Sequence, residues 1–230
     1  MKSLLKPLIL TLPLLPSSAL ACEEPTVSGY DAVDCLYEGL SIVEKNDQWG
    51  FIDKTGNIVI PIQYDWVWRF SDGLAPVKQN GKWGFIDRAG KIIIPMQYDG
   101  AWSFSEDLAS VMQNDKWGFI DKTGKLAIDF QYDDVGNFSD GLAIAIQNNK
   151  YGFVNKTGKT IIGFQYEDTG LFSEDLARVK QNGKWGFIDR TGKIIIPIQY
   201  EWAWGFENGK AEVRLNGESF YIDNTGKRLD

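Results

Sequence analysis

The sequence contains no histidine, and it has only two cysteines and three methionines in 230 residues. Histidine is the commonest general base and the commonest metal ligand in proteins, so its absence removes the usual means of both kinds of chemistry. The two cysteines, Cys22 and Cys35, do not have the close Cys-x-x-Cys spacing of zinc sites. We therefore expect no cofactor, no metal and no catalytic residue.

Basic residues are also scarce, with 24 Lys and Arg against 31 Asp and Glu, which gives a formal net charge of −7. Loss of Lys2 and Lys6 with the N-terminal segment described next would make this charge −9. Nucleic acid requires a basic surface, so we expect no nucleic-acid partner. The net charge does not exclude cationic, neutral or protein partners.

Long hydrophobic runs are absent except near the N-terminus. Lys2 and Lys6 precede a short apolar stretch, and small residues ending in Ala19-Leu20-Ala21 follow it. This order is typical of a signal peptide, and the stretch is too short to span a bilayer. We predict a signal peptide over 1–21, cleavage after Ala21, a periplasmic or secreted protein, and no transmembrane segment in the mature chain.

Cys22 would then be the first mature residue, followed by an N-terminal segment over 22–35. In an oxidising compartment an even number of cysteines favours a disulfide, here between Cys22 and Cys35. The alternative is a lipoprotein anchored through Cys22. Bacterial lipid-attachment signals usually have Leu three residues before the cysteine, whereas this chain has Ala19 there.

One unit of 34 residues repeats along the chain without an insertion, which indicates stacked supersecondary units. The repeat domain covers 36–230, in units of about 36–69, 70–103, 104–137, 138–171, 172–205 and a partial 206–230. Glycine, phenylalanine and tyrosine columns keep the same period; the glycines are Gly56, Gly90, Gly124, Gly158, Gly192 and Gly226.

Turn residues divide each unit into strands. Asn80-Gly81 and its copies separate runs of alternating apolar residues, and an Asn-Gly loop favours a type I′ hairpin with positive φ at both residues. Gly90 ends a second turn, where a bulge residue with positive φ is required. Each unit is therefore predicted to be a three-stranded β-meander. The remaining segment, such as 65–71, either crosses to the next unit or adds a short fourth strand.

The recurring Lys-Trp-Gly-Phe-Ile-Asp motif lies on one of these strands. Because side chains alternate along a strand, Trp83 and Phe85 point to one face and Gly84 to the other. The missing side chain lets another backbone or ring approach closely. We assign a structural role to the residues at this position of each unit: Trp49, Gly50, Trp83, Gly84, Trp117, Gly118, Tyr151, Gly152, Trp185 and Gly186.

The units resemble the WG repeat family, also called KWG repeats. The family's Gly-Lys-Trp-Gly-Phe-Ile-Asp run, Thr-Gly turn and Pro-x-x-Tyr-Asp segment are matched at 82–99 and 184–201, and the resemblance covers about 36–230. It implies a bacterial β-repeat array, often exported, with no common catalytic residues. Departures are Tyr151 for Trp, Gly163 for Pro, and a sixth unit without the Trp-Gly pair.

We predict an all-β fold in which six 34-residue repeats form an open array, similar to a β-solenoid or superhelix. The alternative is a closed, propeller-like ring. A ring needs a fourth strand in each unit, and 34 residues is short against the roughly 40–45 of familiar propeller blades.

Enzyme functions are disfavoured by the distribution of the acidic residues. Asp53, Asp87, Asp121 and Asp189 recur at one position of the repeat, where capping of a turn explains them, whereas a catalytic carboxylate pair would break the repeat pattern. We expect an exported, non-catalytic binding module that recognises an envelope or extracellular protein or glycan through its repeat surface. A structural scaffold in envelope assembly is the alternative, and a glycoside hydrolase is less favoured.

Five tryptophans lie outside the motif, in two columns that vary between units. One column reads Trp68, Trp102, Gly136, Gly170 and Trp204, and the column two residues earlier reads Trp66, Gly100, Asp134, Asp168 and Trp202. These rings either shield the end units of the array or form an aromatic binding surface for sugar rings or an extended peptide. The candidate ligand-binding residues are therefore Trp66, Trp68, Trp102, Trp202 and Trp204.

Overall fold

A computed structural model describes residues 23–229, and over this range the chain forms β-strands and no α-helix. None of the described residues forms a helix that is long and apolar enough to cross a bilayer. The expected signal peptide and Cys22 lie outside the described residues. Export, lipid attachment and the pairing of Cys22 with Cys35 therefore stay predictions.

The strands form six antiparallel sheets of four strands each, and every sheet follows chain order. Sheet 1 contains β1 (Ala32–Tyr37), β2 (Leu40–Lys45), β3 (Gln48–Asp53) and β4 (Ile58–Tyr64). Sheet 2 contains β5 (Trp66–Val67), β6 (Leu74–Gln79), β7 (Lys82–Asp87) and β8 (Ile92–Tyr98). Sheet 3 contains β9 (Gly100–Ala101), β10 (Leu108–Gln113), β11 (Lys116–Asp121) and β12 (Leu126–Tyr132).

The second half of the chain repeats this arrangement. Sheet 4 contains β13 (Asp134–Val135), β14 (Leu142–Gln147), β15 (Lys150–Asn155) and β16 (Thr160–Tyr166). Sheet 5 contains β17 (Asp168–Thr169), β18 (Leu176–Gln181), β19 (Lys184–Asp189) and β20 (Ile194–Tyr200). Sheet 6 contains β21 (Trp202–Ala203), β22 (Ala211–Leu215), β23 (Glu218–Ile222) and β24 (Arg228–Leu229). Each unit thus has the expected three-stranded meander, and the remaining segment adds the short fourth strand.

The first turn of each repeat has the predicted hairpin geometry. Asn80 and Gly81 have φ of 51° and 77°, and both residues of the corresponding Asn114-Asp115 and Asn148-Asn149 loops also have positive φ. Asn and Asp tolerate this conformation better than other residues with a side chain. The local sequence therefore fixes the register of the two long strands that flank the loop.

The second turn is capped by an acidic side chain. In sheet 3 the N–H of Gly124 donates to the carbonyl of Asp121 at 2.9 Å, and Gly124 has φ of +83°, as predicted. The Asp121 carboxylate accepts hydrogen bonds from the N–H and hydroxyl of Thr123 and from the N–H of Lys125. These hydrogen bonds lower the pKa of Asp121 below its ordinary value, and the bond from the Thr123 hydroxyl has the largest effect.

We expect these turns to make stability depend on pH. The hydrogen bond from Thr191 lowers the pKa of Asp189, as that from Thr123 lowers the pKa of Asp121. Each aspartate therefore stabilises the fold above the ordinary Asp pKa of about 3.9, and this stabilisation is lost as pH falls through the lower pKa of the folded state. Asn155 already makes the same bonds in sheet 4, without a charge. A double Asp121→Asn, Asp189→Asn variant should therefore lose less stability than wild type between pH 5 and pH 3 in urea denaturation. Equal losses would contradict the assignment.

The glycine of the Trp-Gly motif is required by a bulge in the neighbouring strand. Trp83 lies opposite Tyr98, but Phe85 lies opposite Ile94, so a step of two residues along β7 matches four along β8. The extra residues of β8 fold over Gly84, where a Cβ would lie 2.5 Å from the Ile94 carbonyl oxygen and 2.8 Å from the Met96 nitrogen. The expectation that another backbone approaches this glycine is confirmed.

Successive sheets are joined by a phenylalanine pair at every junction, and by a serine hydrogen bond at three of them. The phenylalanine of one sheet's motif packs on the next sheet's phenylalanine, for example Phe85 on Phe104, with ring centroids 4.8–5.0 Å apart at five junctions. The hydroxyl of Ser71 donates to the carbonyl of Phe104 in the next sheet at 2.7 Å. Ser105 and Ser173 make the same bond, each to the sheet that follows its own. The strand contacts between sheets join neighbours in the series. The fold is an all-β, open array of six repeats.

In sheets 1 to 5 the last strand is a long edge strand. Pro61, Pro95 and Pro197 lie on β4, β8 and β20, where the missing N–H breaks no ladder bond. These edges also expose apolar side chains such as Ile58 and Ile92. Proline and the bulge together hinder pairing of an exposed edge with another chain.

Candidate functional site

The additional tryptophans lie on the short first strand of their sheets or directly after it, and their side chains are turned outward. In sheet 2, Val67 and Phe70 are buried in the core. Trp66 and Trp68 flank Val67 and point away from the core, and Trp66 is 42% exposed. Sheets 3 and 6 follow the same pattern, since Trp102 is 42% and Trp204 53% exposed.

Four indole rings form a continuous series across sheets 1, 2 and 3, which we call the tryptophan row. The row contains Trp49, Trp66, Trp68 and Trp102, with successive ring centroids 4.8, 6.0 and 5.5 Å apart. The planes of successive rings are inclined by 49°, 71° and 32°. The rings therefore present faces in several orientations along one strip of surface.

A pocket of about 530 Å³ opens beside the tryptophan row, between sheets 1 and 2. Its aromatic wall is formed by Trp49, Trp66 and Trp68, and its polar groups belong to Asp34, Arg69 and Ser103. This volume lies within the range of small-ligand sites, which combine aromatic walls with a few polar groups. The arrangement can hold an apolar ring face and hydrogen-bond its edge.

The polar side of the pocket is an ion pair held in a fixed geometry. The Arg69 guanidinium donates from Nε and Nη2 to the two carboxylate oxygens of Asp34, at 2.8 and 3.0 Å, and it stacks 3.9 Å from the ring centre of Tyr37. Burial raises the pKa of Asp34, but the hydrogen bonds from Arg69 and from the N–H of Cys35 together lower it by more than burial raises it. The pKa of Asp34 therefore lies below its ordinary value. The carboxylate is therefore ionised at neutral pH and its charge is balanced within the pocket.

Trp202 and Trp204 form a second aromatic group in sheet 6, with ring centroids 4.9 Å apart. Arg178 of sheet 5 lies between Trp185 and Trp204, 4.9 and 5.3 Å from their ring centres, and donates to the Ala203 carbonyl at 2.6 Å. Within residues 23–229 no ring contact joins this group to the tryptophan row. The five candidate residues thus form two separate groups.

Packing against the neighbouring strand explains the glycine of this column in sheet 5. The N–H of Trp102 donates to the carbonyl of Ser110 on the adjacent strand, and at the same position of sheet 5 Gly170 faces Arg178. A Cβ on Gly170 would lie 3.0 Å from the side chain of Arg178. In sheet 5 the side chain of Arg178 therefore takes the space beside this position, whereas Ser110 in sheet 3 leaves room for the indole of Trp102.

The structure adds four residues to the site that sequence reasoning did not assign to it: Asp34, Trp49, Arg69 and Ser103. Trp49, assigned to the structural motif, lies 4.8 Å from Trp66 and extends the row, whereas Trp185 of the same column is buried. Asp34 stands 34 residues before Trp68, so it occupies the tryptophan column of sheet 1, and Arg69 reaches back to it. Extending the repeat alignment to the residues before 36 would have placed Asp34 in this column.

Candidate metal ligands do not gather in the described part of the chain. Between 23 and 229 no three Cys, Asp or Glu side chains are arranged to hold an ion. The recurring acidic residues are engaged instead in turns, as Asp121 and Asp189 show.

Comparison with known proteins identifies the repeat. The family described as WG containing repeat matches residues 29–49, 49–83, 83–117, 117–151, 151–185 and 185–218. No curated protein sequence matches the chain.

Among solved structures, a eukaryotic initiation factor is similar with a TM-score of 0.54 and 11% identity, over 84% of this chain and 63% of that one. Hsv2p of Kluyveromyces lactis is similar with a TM-score of 0.48 and 10% identity, over 81% of this chain and 71% of that one. AztD of Citrobacter koseri is similar with a TM-score of 0.49 and 14% identity, over 85% of this chain and 69% of that one. At 11% identity, the likeness to the initiation factor is a likeness of fold alone.

Proposed function

This chain belongs to the WG containing repeat family, and from that premise we propose that it is an exported, non-catalytic binding module that holds its partner on the tryptophan row. The partner is a protein or a glycan of the cell envelope or the extracellular space. The signal-like sequence over 1–21 supports export, with anchoring through Cys22 as the alternative mode of retention.

The tryptophan row is the observation that carries this proposal. Trp66 and Trp102 each expose 42% of their surface although they stand next to a half-buried ring, Trp68. Contiguous exposed aromatic surface marks interaction sites, and Trp is enriched among residues that dominate binding energy. The rings are carried by paired strands of three packed sheets, so little order has to be gained when a partner binds.

The non-catalytic part of the proposal rests on the use made of the acidic residues. The repeated aspartates cap turns, and Asp34 beside the row is neutralised by Arg69. Neither arrangement leaves a pair of carboxyl groups with the separated acid and base roles that glycoside hydrolysis needs.

We expect purified mature protein to bind members of a defined glycan array or peptide library, and a double Trp66→Ala, Trp68→Ala variant to lose that binding while staying folded. Ile92→Ala is the matched control, because it removes an apolar side chain that is 51% exposed on the edge strand β8. Equal binding by wild type and the double variant, or no binding by wild type to either set, would refute the proposal. Release of sugar or peptide fragments during the assay would refute its non-catalytic part.

A further inference from the structure

We infer that the partner held by the tryptophan row is a neutral polysaccharide chain, whose hydroxyl groups are bound by Arg69, Asp34 and Ser103. This inference rests on the proposed function and names its ligand class. Three features of the site carry it: the inclination of the rings, the unused hydrogen-bonding capacity of the ion pair, and the balance of charge.

The ring geometry suits a chain of sugar rings. A pyranose ring has an apolar face of C–H groups and an edge of hydroxyl groups, so it stacks on an aromatic face and hydrogen-bonds at its rim. Successive rings of a polysaccharide are rotated against each other, and the faces of Trp66, Trp68 and Trp102 are likewise inclined, by 71° and 32° at successive steps. The row therefore offers consecutive stacking faces rather than one flat surface.

The polar groups of the pocket retain hydrogen-bonding capacity for a ligand. Arg69 uses two N–H groups for Asp34, and a guanidinium has about five, so roughly three remain. Among residues 23–229, the contact that holds the Ser103 hydroxyl is a long one, 3.4 Å to the Arg69 carbonyl. A planar guanidinium and a carboxylate each match two neighbouring hydroxyl groups, which are the groups that a sugar ring presents at its edge.

Charge balance in the pocket selects a neutral ligand. The carboxylate of Asp34 and the guanidinium of Arg69 cancel each other, and Arg69 also stacks on Tyr37. Arg69, the cation of this pocket, is already paired, and an anionic chain would be repelled by a protein with a formal net charge of −7. Lys78 lies in a separate hollow on the other side of Trp66 and Trp68, where Asp65 is also present.

The strand edges beside the pocket disfavour an extended peptide that adds to a sheet. β5 has only two residues, and the N–H of Leu36 on β1 already donates to the carbonyl of Glu23 at 2.9 Å. Recognition by strand addition needs a longer row of unpaired backbone groups. A second hollow, of about 240 Å³, lies beyond Trp102 at Gly136 and Asn137, and it continues the strip in the direction of a long chain.

The inference is tested by calorimetric titration of the mature protein with the neutral hexasaccharides cellohexaose, laminarihexaose, chitohexaose and mannohexaose. At least one should bind saturably, and its trisaccharide should bind more weakly because it covers fewer rings. Trp68→Ala should weaken binding about tenfold or more. Arg69→Lys, which keeps the charge but loses the planar fork, should also weaken it. Trp204→Ala is the control that should leave affinity unchanged.

Two further probes separate failure of this inference from failure of the proposed function. Binding of a proline-rich decapeptide, lost in Trp68→Ala, with no binding of any hexasaccharide, would overturn the polysaccharide inference and leave the binding function in place. Preferred binding of polygalacturonate over the neutral chains would overturn the inferred neutrality. Binding of none of these probes, by a folded protein, would overturn the inference and count against the proposed function as well.

Discussion

Gly84→Ala is expected to destabilise the protein by about 3 kcal/mol or more, although it adds only one methyl group. The new Cβ would lie 2.5 Å from the carbonyl oxygen of Ile94 and 2.8 Å from backbone atoms of Pro95 and Met96. Backbone cannot rotate aside as a flexible side chain can. The bulged part of β8 would have to move away, and the β7–β8 pairing would be lost with it.

Urea denaturation of Gly84→Ala against wild type measures this effect. Gly163→Ala is the matched control, because Gly163 also lies in a strand next to a bulge, has no neighbour within 4 Å of an added Cβ, and does not have positive φ. We expect the control to match wild type or to be slightly more stable, since alanine has less backbone freedom to lose than glycine. A Gly84→Ala protein as stable as the control would show that β8 does not press on β7 as described.

Phe119→Ala is expected to destabilise the protein by about 3–5 kcal/mol and to change how it unfolds. Phe119 is fully buried, and its ring packs 4.8 Å from that of Phe138, in a cluster shared by sheets 3 and 4. Because sheets contact their neighbours in the series, this one junction couples the two halves of the array. Its loss should let sheets 1–3 and sheets 4–6 unfold separately.

Denaturation followed by tryptophan fluorescence and by far-ultraviolet circular dichroism tests this prediction. Fluorescence is weighted toward sheets 1–3, where most of the tryptophans lie, so the two signals should coincide for wild type and diverge for Phe119→Ala. Leu171→Ala removes a side chain that is 58% exposed in sheet 5 and should leave both transitions unchanged. Coincident transitions in Phe119→Ala would show that cooperativity does not pass through this ring pair.

Local features of the fold could be predicted from the sequence because each depends on a few adjacent residues. Asn80-Gly81 and Gly124 have the positive φ that their turn types require, and Gly84 is approached by another backbone. The period of 34 residues gave six units, since a constant spacing leaves no other way to keep all columns in register. The sequence does not decide whether a fourth strand forms, because Trp66-Val67 is too brief for alternation to indicate its pairing.

The candidate site could be predicted only in part, because its contacts cross sheet boundaries. Variation in the columns pointed to Trp66, Trp68 and Trp102, but their approach to Trp49 depends on how tightly sheets 1 and 2 pack. The same column analysis grouped Trp202 and Trp204 with them, although these rings form a separate pair in sheet 6. The ion pair between Asp34 and Arg69 joins residues of different units, and neither belongs to the repeated motif.

The unvarying period also has a consequence for how such a gene can change. An in-register exchange between two units would delete or duplicate a whole sheet, and the phenylalanine pair and serine bond at the new junction would form as before. The same exchange would disrupt the tryptophan row, because the row and its pocket need three successive sheets whose shared column reads Asp34, Trp68 and Trp102 in that order. We expect lineages of this gene to gain and lose copies freely in the middle, while the order of the first three units is inherited as a block.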